Sequence, residues 1–274
     1  MKIPFTKLST LGNNYLFLDY LDNEVPTLDF SKLAQEMTHP QTGIASDGII
    51  ILTPSTVADL KMSIFNNDGS LAKTCGNGLR LVGRYLRELY ESKNSTYHVE
   101  TDANIATVHL AENEITVDLG CAYMLSSGAP LSLTTEPMLM TQTVSSHVCT
   151  YIVDAVSLGN PHFIIYSSTS HENMYSELEK LSKKYDVNVG IATILSQTEI
   201  KLTTYERGSG FTGACGTNTA ACVASAVVRG HVLPHETITV HLPGGHLNVT
   251  YTDQGHLLAT QSTDMVCTGV YFHE

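Results

Sequence analysis

The chain repeats itself. Leu11-Gly12-Asn13, followed by the apolar stretch Tyr15-Leu16-Phe17-Leu18, returns as Leu158-Gly159-Asn160, followed by Phe163-Ile164-Ile165-Tyr166. Cys75-Gly76-Asn77-Gly78 returns as Cys215-Gly216-Thr217-Asn218, each opening a segment that reads as a helix. Beyond each cysteine comes a strand pair: Tyr97 to Val108 with Ile115 to Leu119, then Ile238 to Thr250 with His256 to Thr260. One such match would be chance. Three in the same order predict two halves built alike. The 274 residues give each half roughly 130, enough for a core of its own.

Apolar alternation and β-branched residues predict strands near 3–8, 15–20, 48–52, 61–65, 97–101, 104–110 and 114–119. The second half repeats this near 151–156, 162–167, 187–189, 199–205, 237–241, 245–251 and 256–262. Helices are predicted near 30–38, 76–91, 171–183 and 216–229. Asp29 supplies an N-cap for the first. Thr217 to Val228 carries small residues nearly all round, which predicts burial. The expectation is an α+β fold of two pseudo-symmetric domains, each a sheet around one central helix. Residues 120–150, rich in Ser, Thr and Pro, read as the crossover between halves.

Apolar residues make up 42% and charged residues 15%, which excludes a disordered chain. The net charge of -12 argues against nucleic acid and anionic membrane as partners. No apolar run reaches the 18 or so residues of a membrane span, and the first residues lack a signal-peptide pattern. A cytoplasmic location is expected. None of the histidines falls in an HExxH pattern, and neither GxGxxG after a strand nor a P-loop is present, so neither metal nor nucleotide is expected.

Six cysteines occur, none in a CxxC pair. A lone cysteine at a helix start is most often a small buried apolar residue. Two in matched Cys-Gly contexts ask for more. The free N–H groups and positive dipole end of a helix lower a thiol's pKa and bind carboxylates. With one sulfur from each half facing a substrate, a thiolate can remove a proton from carbon while a thiol returns one on the other face. Cys222 reads as core, and Cys121, Cys149 and Cys267 carry no role.

Around these lie polar residues in turn or strand-end contexts. Asn13, Asn66 and Asn160 each supply a donor and an acceptor suited to a zwitterion. His162 opens an apolar strand and can tune a thiol. Glu206-Arg207-Gly208 precedes the second cysteine; Arg207 can clamp a carboxylate, and Glu206 can hold an amine or orient a thiol. Taken singly, each has a plain reading as turn chemistry or a solvated pair.

Together with Phe65-Asn66-Asn67-Asp68-Gly69-Ser70, Asn188-Val189 and Ala214-Cys215-Gly216-Thr217, these segments resemble diaminopimelate epimerases over nearly the whole chain. The resemblance implies interconversion of LL- and meso-2,6-diaminopimelate on the route to lysine and cell wall, with no cofactor and no metal. It implies that Cys75 and Cys215 are the acid–base pair, supported by His162 and Glu206. It implies that Asn13, Asn66, Gly76, Asn77, Asn160, Asn188, Glu206, Arg207, Gly216 and Thr217 hold substrate. It further implies curved, barrel-like, mostly antiparallel sheets, domains of 1–118 plus 263–274 and 119–262, and a homodimer.

Five positions depart from the family pattern. Ser9-Thr10 stand where His-Gly is common, Asn14 where Asp is, Phe211 where an acid is, and Asn218 where Gly is. These changes touch loops that shape a pocket. They keep open a broadened substrate range, a racemase of another amino acid such as glutamate, and an isomerase of a proline-like or aromatic acid. A redox module with a switchable disulfide is the reading outside enzymes.

Overall fold

The computed structural model describes residues 1–90, 94–111, 114–146, 149–169 and 171–273. The chain divides into two compact units, Met1–Val117 with Gln261–Glu274, and Asp118–Thr260. In order its elements are β1 (Lys2–Thr10), β2 (Asn13–Asp19), α1 (Phe30–Thr38), β3 (Gly48–Thr53), β4 (Leu60–Asn66), β5 (Leu71–Ala72), α2 (Gly76–Leu89), β6 (Thr96–Glu100), β7 (Ile105–Leu110) and β8 (Ile115–Cys121). There follow β9 (Tyr123–Met124), β10 (Thr141–Ser145), β11 (Thr150–Ser157), β12 (Pro161–Tyr166), α3 (Tyr175–Tyr185), β13 (Asn188–Ile194), β14 (Glu199–Glu206) and β15 (Gly210–Phe211). The chain ends with α4 (Gly216–Val228), β16 (Thr237–Leu242), β17 (Gly245–Tyr251), β18 (His256–Gln261) and β19 (Asp264–Phe272).

In the first unit β1 pairs antiparallel with β2, β2 parallel with β3, β3 antiparallel with β4, β4 parallel with β6, and β6 antiparallel with β7. Parallel neighbours cannot be joined by a hairpin, so each parallel step carries a helical crossover, first α1 and then α2. In the second unit β11 pairs antiparallel with β12, β12 parallel with β13, β13 antiparallel with β14, β14 parallel with β16, and β16 antiparallel with β17. Here α3 and α4 make the crossovers. The order of pairings is the same, which is what the repeated motifs predict. The fold class is α+β, with mostly antiparallel pairing.

Local chemistry places the two asparagines of the repeats. Leu11 and Gly12 form a two-residue hairpin loop with φ of 51° and 83°, a pair of left-handed residues that matches strand twist. Asn13 is thereby fixed at the base of that hairpin. Gly159, at φ 80°, turns the chain between β11 and β12 and leaves Asn160 at the corresponding place.

The cores are apolar and separate in composition. Ile3, Leu16, Leu18, Leu33, Met37 and Ile49 form part of the first. Val153, Phe163, Ile165, Leu178, Leu181 and Val189 form part of the second. Helix α4 is buried from Asn218 to Val228, as its small residues predict, and Cys222 is core.

Several boundaries differ from expectation. The 120–150 segment is not plain crossover: it holds β9, a 3-10 turn at Pro137–Leu139, and β10, which pairs with β11. The segment from His171 begins as a 3-10 turn and becomes α3 only at Tyr175. Strand β19, which pairs with β1, was not predicted, because its exposed edge leaves little apolar alternation to read. The second predicted helix stops at Leu89, and its expected last residue, 91, lies outside the described residues. Among the described residues no helix is long and apolar enough to cross a membrane.

Candidate active site

In the first unit Cys75 is the N-cap of α2. Its backbone is extended, and its Sγ accepts the Gly78 N–H at 3.4 Å. The Tyr15 hydroxyl lies 3.7 Å from the same sulfur. Gly76 and Asn77 are the first residues of the helix. Beside them runs a chain of side-chain hydrogen bonds. Arg80 Nη2 donates to Asn77 Oδ1, and Asn77 Nδ2 donates to Asn13 Oδ1. Asn13 Nδ2 donates to Asp47 Oδ2 at 3.2 Å, and the Asn14 N–H donates to that oxygen at 2.8 Å. Two amides thus connect a buried cation to a carboxylate.

Arg80 is wholly buried, and its Nε and Nη1 have no hydrogen-bond partner among the described residues. Burial lowers its pKa to about 10, and the nearby Cys75 sulfur pulls it back up in part. The guanidinium remains charged at neutral pH. Asn66 ends β4, and its Nδ2 donates to Ser70 Oγ at 2.9 Å, so its side chain closes its own turn.

In the second unit Cys215 caps α4 and is buried, with 7% of its surface exposed. Its Sγ lies 3.6 Å from Thr217 Oγ1. Burial, and then the Glu206 carboxylate, push the thiol's pKa up; the Asn218 N–H and the Thr217 hydroxyl oppose this less strongly. The lowering expected at a helix start is therefore reversed here, because desolvation of the thiolate outweighs the helix dipole. Glu206 is mostly buried, takes a hydrogen bond from Thr212 Oγ1 at 2.5 Å, and has its own pKa raised by burial. Its negative charge favours the protonated form of Cys215. At rest, Cys215 is a thiol.

His162 is fully buried, with both ring nitrogens engaged. Nε2 is 2.8 Å from Asn160 Oδ1, and Nδ1 is 3.1 Å from Asn218 Nδ2. Burial, helped by the Arg207 charge, pulls its pKa down to about 3, so the ring is neutral. Its link to Cys215 runs through Asn160, whose Nδ2 donates to Thr217 Oγ1 at 3.4 Å. Gly216 opens α4. Asn188 donates to the Pro161 carbonyl at 3.2 Å and accepts the Arg207 N–H at 3.0 Å. Arg207 Nη1 reaches Asp186 Oδ2 at 2.9 Å.

The structure thus gathers Asn13 and Asn77 near Cys75, and Asn160, His162, Thr217 and Glu206 near Cys215. In each unit the residue two beyond the cysteine bonds the asparagine of the Leu-Gly-Asn hairpin. Asn66 is bonded apart from these sets, and Asn188 and Arg207 form a tie of their own. Sequence reading missed Tyr15, Asp47, Arg80 and Thr212. Arg80 carried a signal: it is the one charged residue between Gly76 and Gly83 on a helix otherwise apolar there. Tyr15 and Asp47 gave none, since only folding brings them to the site.

The fold is shared with solved structures. A phenazine biosynthesis protein of the PhzF family from Bacillus anthracis superposes with a TM-score of 0.69 over 100% of both chains, at 13% identity. The family profile described as diaminopimelate epimerase matches residues 5–125 and 155–266. A diaminopimelate epimerase from Bacillus pumilus is 35% identical over 98% of each chain. Another, from Oceanobacillus iheyensis, is 34% identical over 100% of this chain and 99% of that one. The protein is accordingly an enzyme, an isomerase of the amino-acid epimerase class. The chain belongs to the diaminopimelate epimerase family.

Proposed function

We propose that this enzyme converts LL-2,6-diaminopimelate to the meso isomer without a cofactor, supplying lysine and peptidoglycan synthesis in the cytoplasm. One observation carries the reading: each of two equivalent helices starts at a cysteine, and beside each cysteine an asparagine is held by the residue two positions on. In the reaction one sulfur, as thiolate, takes the α-proton, and the electron pair stays on carbon. The other sulfur gives its proton to the opposite face and becomes thiolate. Charge and atoms balance, and the stereocentre inverts.

The surroundings of the two sulfurs fit opposite roles. Cys75 accepts a backbone N–H at its sulfur and has the buried Arg80 cation nearby, surroundings that suit the base. Cys215, buried against Glu206, keeps its proton, which suits an acid. Asn13, Asn66, Gly76, Asn77, Asn160, Asn188, Arg207, Gly216 and Thr217 serve to hold the substrate, and Glu206 both holds substrate and orients the Cys215 thiol. His162, neutral as it is, supports proton transfer by position. The exposed β19 edge, with Val266, Val270 and Phe272 turned to solvent, supports a homodimer. A wider substrate range, glutamate included, draws support from Phe211. Its ring packs on Tyr175 and Tyr205, 4.5 and 5.1 Å between centroids, beside the Glu206-Arg207 turn.

The test is incubation with LL-diaminopimelate in deuterated water. Wild type is expected to form meso product carrying deuterium at the inverted carbon. Cys75→Ala and Cys215→Ala are each expected to form none. Epimerisation surviving either substitution ends the two-thiol reading, and turnover of other L-amino acids in its place ends the diaminopimelate reading.

A further inference from the structure

Asn218 is completely buried on the first turn of α4, and no substrate-holding role falls to it. Its amide bridges two strands. Thr204 Oγ1, on β14, donates to its Oδ1 at 2.9 Å, and its Nδ2 donates to His162 Nδ1, on β12, at 3.1 Å. It also fits one neighbour closely: a Cβ on Gly190 of β13 would stand 2.4 Å from Asn218 Oδ1. Asn218 and Gly190 are therefore a matched pair, a side chain and the space it needs.

We infer that Asn218 is a positioning residue that fixes His162 with its proton on Nε2 and thereby turns a chain of donors toward the Cys215 sulfur. An amide nitrogen can only donate, so His162 Nδ1 must accept. The neutral ring then carries its proton on Nε2 and gives it to Asn160 Oδ1. That leaves Asn160 Nδ2 to donate to Thr217 Oγ1, and the Thr217 proton is free to point at Cys215 Sγ. The chain reads Thr204, Asn218, His162, Asn160, Thr217, Cys215, every step donating the same way. Bonds aligned in this manner strengthen one another.

The opposite direction, with the proton on Nδ1, would make Thr217 accept from the thiol. Asn218 Nδ2 excludes it, because a nitrogen that can only donate requires an acceptor at His162 Nδ1, so the donating direction is the one that fits. The charged groups acting on the chain's two titratable members are Glu206, on Cys215, and Arg207, on His162. A hydroxyl aimed at sulfur stabilises the thiolate that Cys215 becomes after giving up its proton.

This deepens the proposed role of Cys215 as a proton carrier, but its test needs no substrate. In protein labelled with 15N at histidine, the His162 resonances report the tautomer. In the Cys75→Ser background, the pH dependence of Cys215 alkylation reports the thiol's acidity. Wild type is expected to show a single Nε2–H form that does not titrate between pH 5 and 9. Asn218→Leu fills the space without an amide, and Gly190→Ala displaces the amide. Both are expected to lose the single tautomer and to lower the thiolate fraction of Cys215 about threefold or more at a given pH. Nδ1–H in wild type overturns the inference even if neither variant folds. So does Asn218→Leu with an unchanged alkylation profile, since Asn218 would then only fill space. If these results hold while Cys215→Ala still epimerises, the relay stands and the proposed function fails.

Discussion

Replacing Arg80 with methionine is expected to leave the protein as stable as before or more so, while damaging its activity. The shorter side chain keeps an unbranched stem and similar helix propensity. At neutral pH the guanidinium is charged both folded and unfolded, and in the fold it is buried away from bulk solvent. A pKa pulled down to about 10 corresponds to a cost of about 3 kcal/mol. The sign follows from proton binding. Below pH 10 the full cost is present. Above it the folded state loses its proton before the unfolded one, so the cost fades and stability rises with pH up to the ordinary guanidinium value. Methionine removes this cost but strips Asn77 Oδ1 of its donor, a loss of about 1–3 kcal/mol. The balance is a gain of about 0–2 kcal/mol, or up to about 6 °C in melting temperature for a chain this long. Freed from Arg80, Asn77 no longer fixes Asn13, and turnover is expected to fall about 10- to 100-fold. Calorimetry and deuterium incorporation into diaminopimelate measure the two effects. A melting temperature lowered by more than about 5 °C would show that the guanidinium is satisfied and stabilising. Unchanged turnover would show that the Arg80–Asn77–Asn13 chain does nothing for the reaction.

Two more expectations concern packing and pH. Gly83→Ala gains about 1 kcal/mol of helix propensity. The new Cβ, however, would lie 2.7 Å from Ile115 Cγ2 and 2.9 Å from both Leu110 Cδ2 and Val108 Cγ1. Overpacking at such contacts costs about 1–3 kcal/mol, so urea denaturation is expected to show a net loss; a more stable variant contradicts the packing. Cys215 and Cys222 both have their thiol pKa raised, chiefly by burial and then by Glu206 and Asp154 respectively. The folded state keeps these protons where the unfolded chain releases them, so stability falls as pH rises above about 8.5. Cys222→Ala should reduce that slope by about 1.4 kcal/mol per pH unit between pH 9 and 10, measured from urea midpoints; an equal slope in both proteins refutes it.

The repeat made most of the fold legible. Leu-Gly-Asn fixes a hairpin by backbone geometry, Cys-Gly opens a helix by capping, and β-branched runs make strands. These are short-range effects, and the sequence carries them whole. The same local chemistry pointed to Cys75 and Cys215 and to the asparagines beside them. What it missed was set over longer distances. The β19 edge and the strands within 120–150 exist because partners pair with them, not because their own residues demand it.

The acidity of Cys215 shows the division most clearly. Its position at a helix start is written in the sequence, and by itself predicts a lowered pKa. Burial and a carboxylate from β14 reverse that, since the cost of desolvating a charge depends on everything packed around it. Arg80 and Asn218 teach the same lesson. Local sequence placed them on helices, but only the tertiary structure decided that one would be a buried, half-satisfied cation and the other a bridge to His162. Propensity and capping act within a few residues, whereas solvation and hydrogen-bond direction are settled by neighbours that the chain brings in from afar.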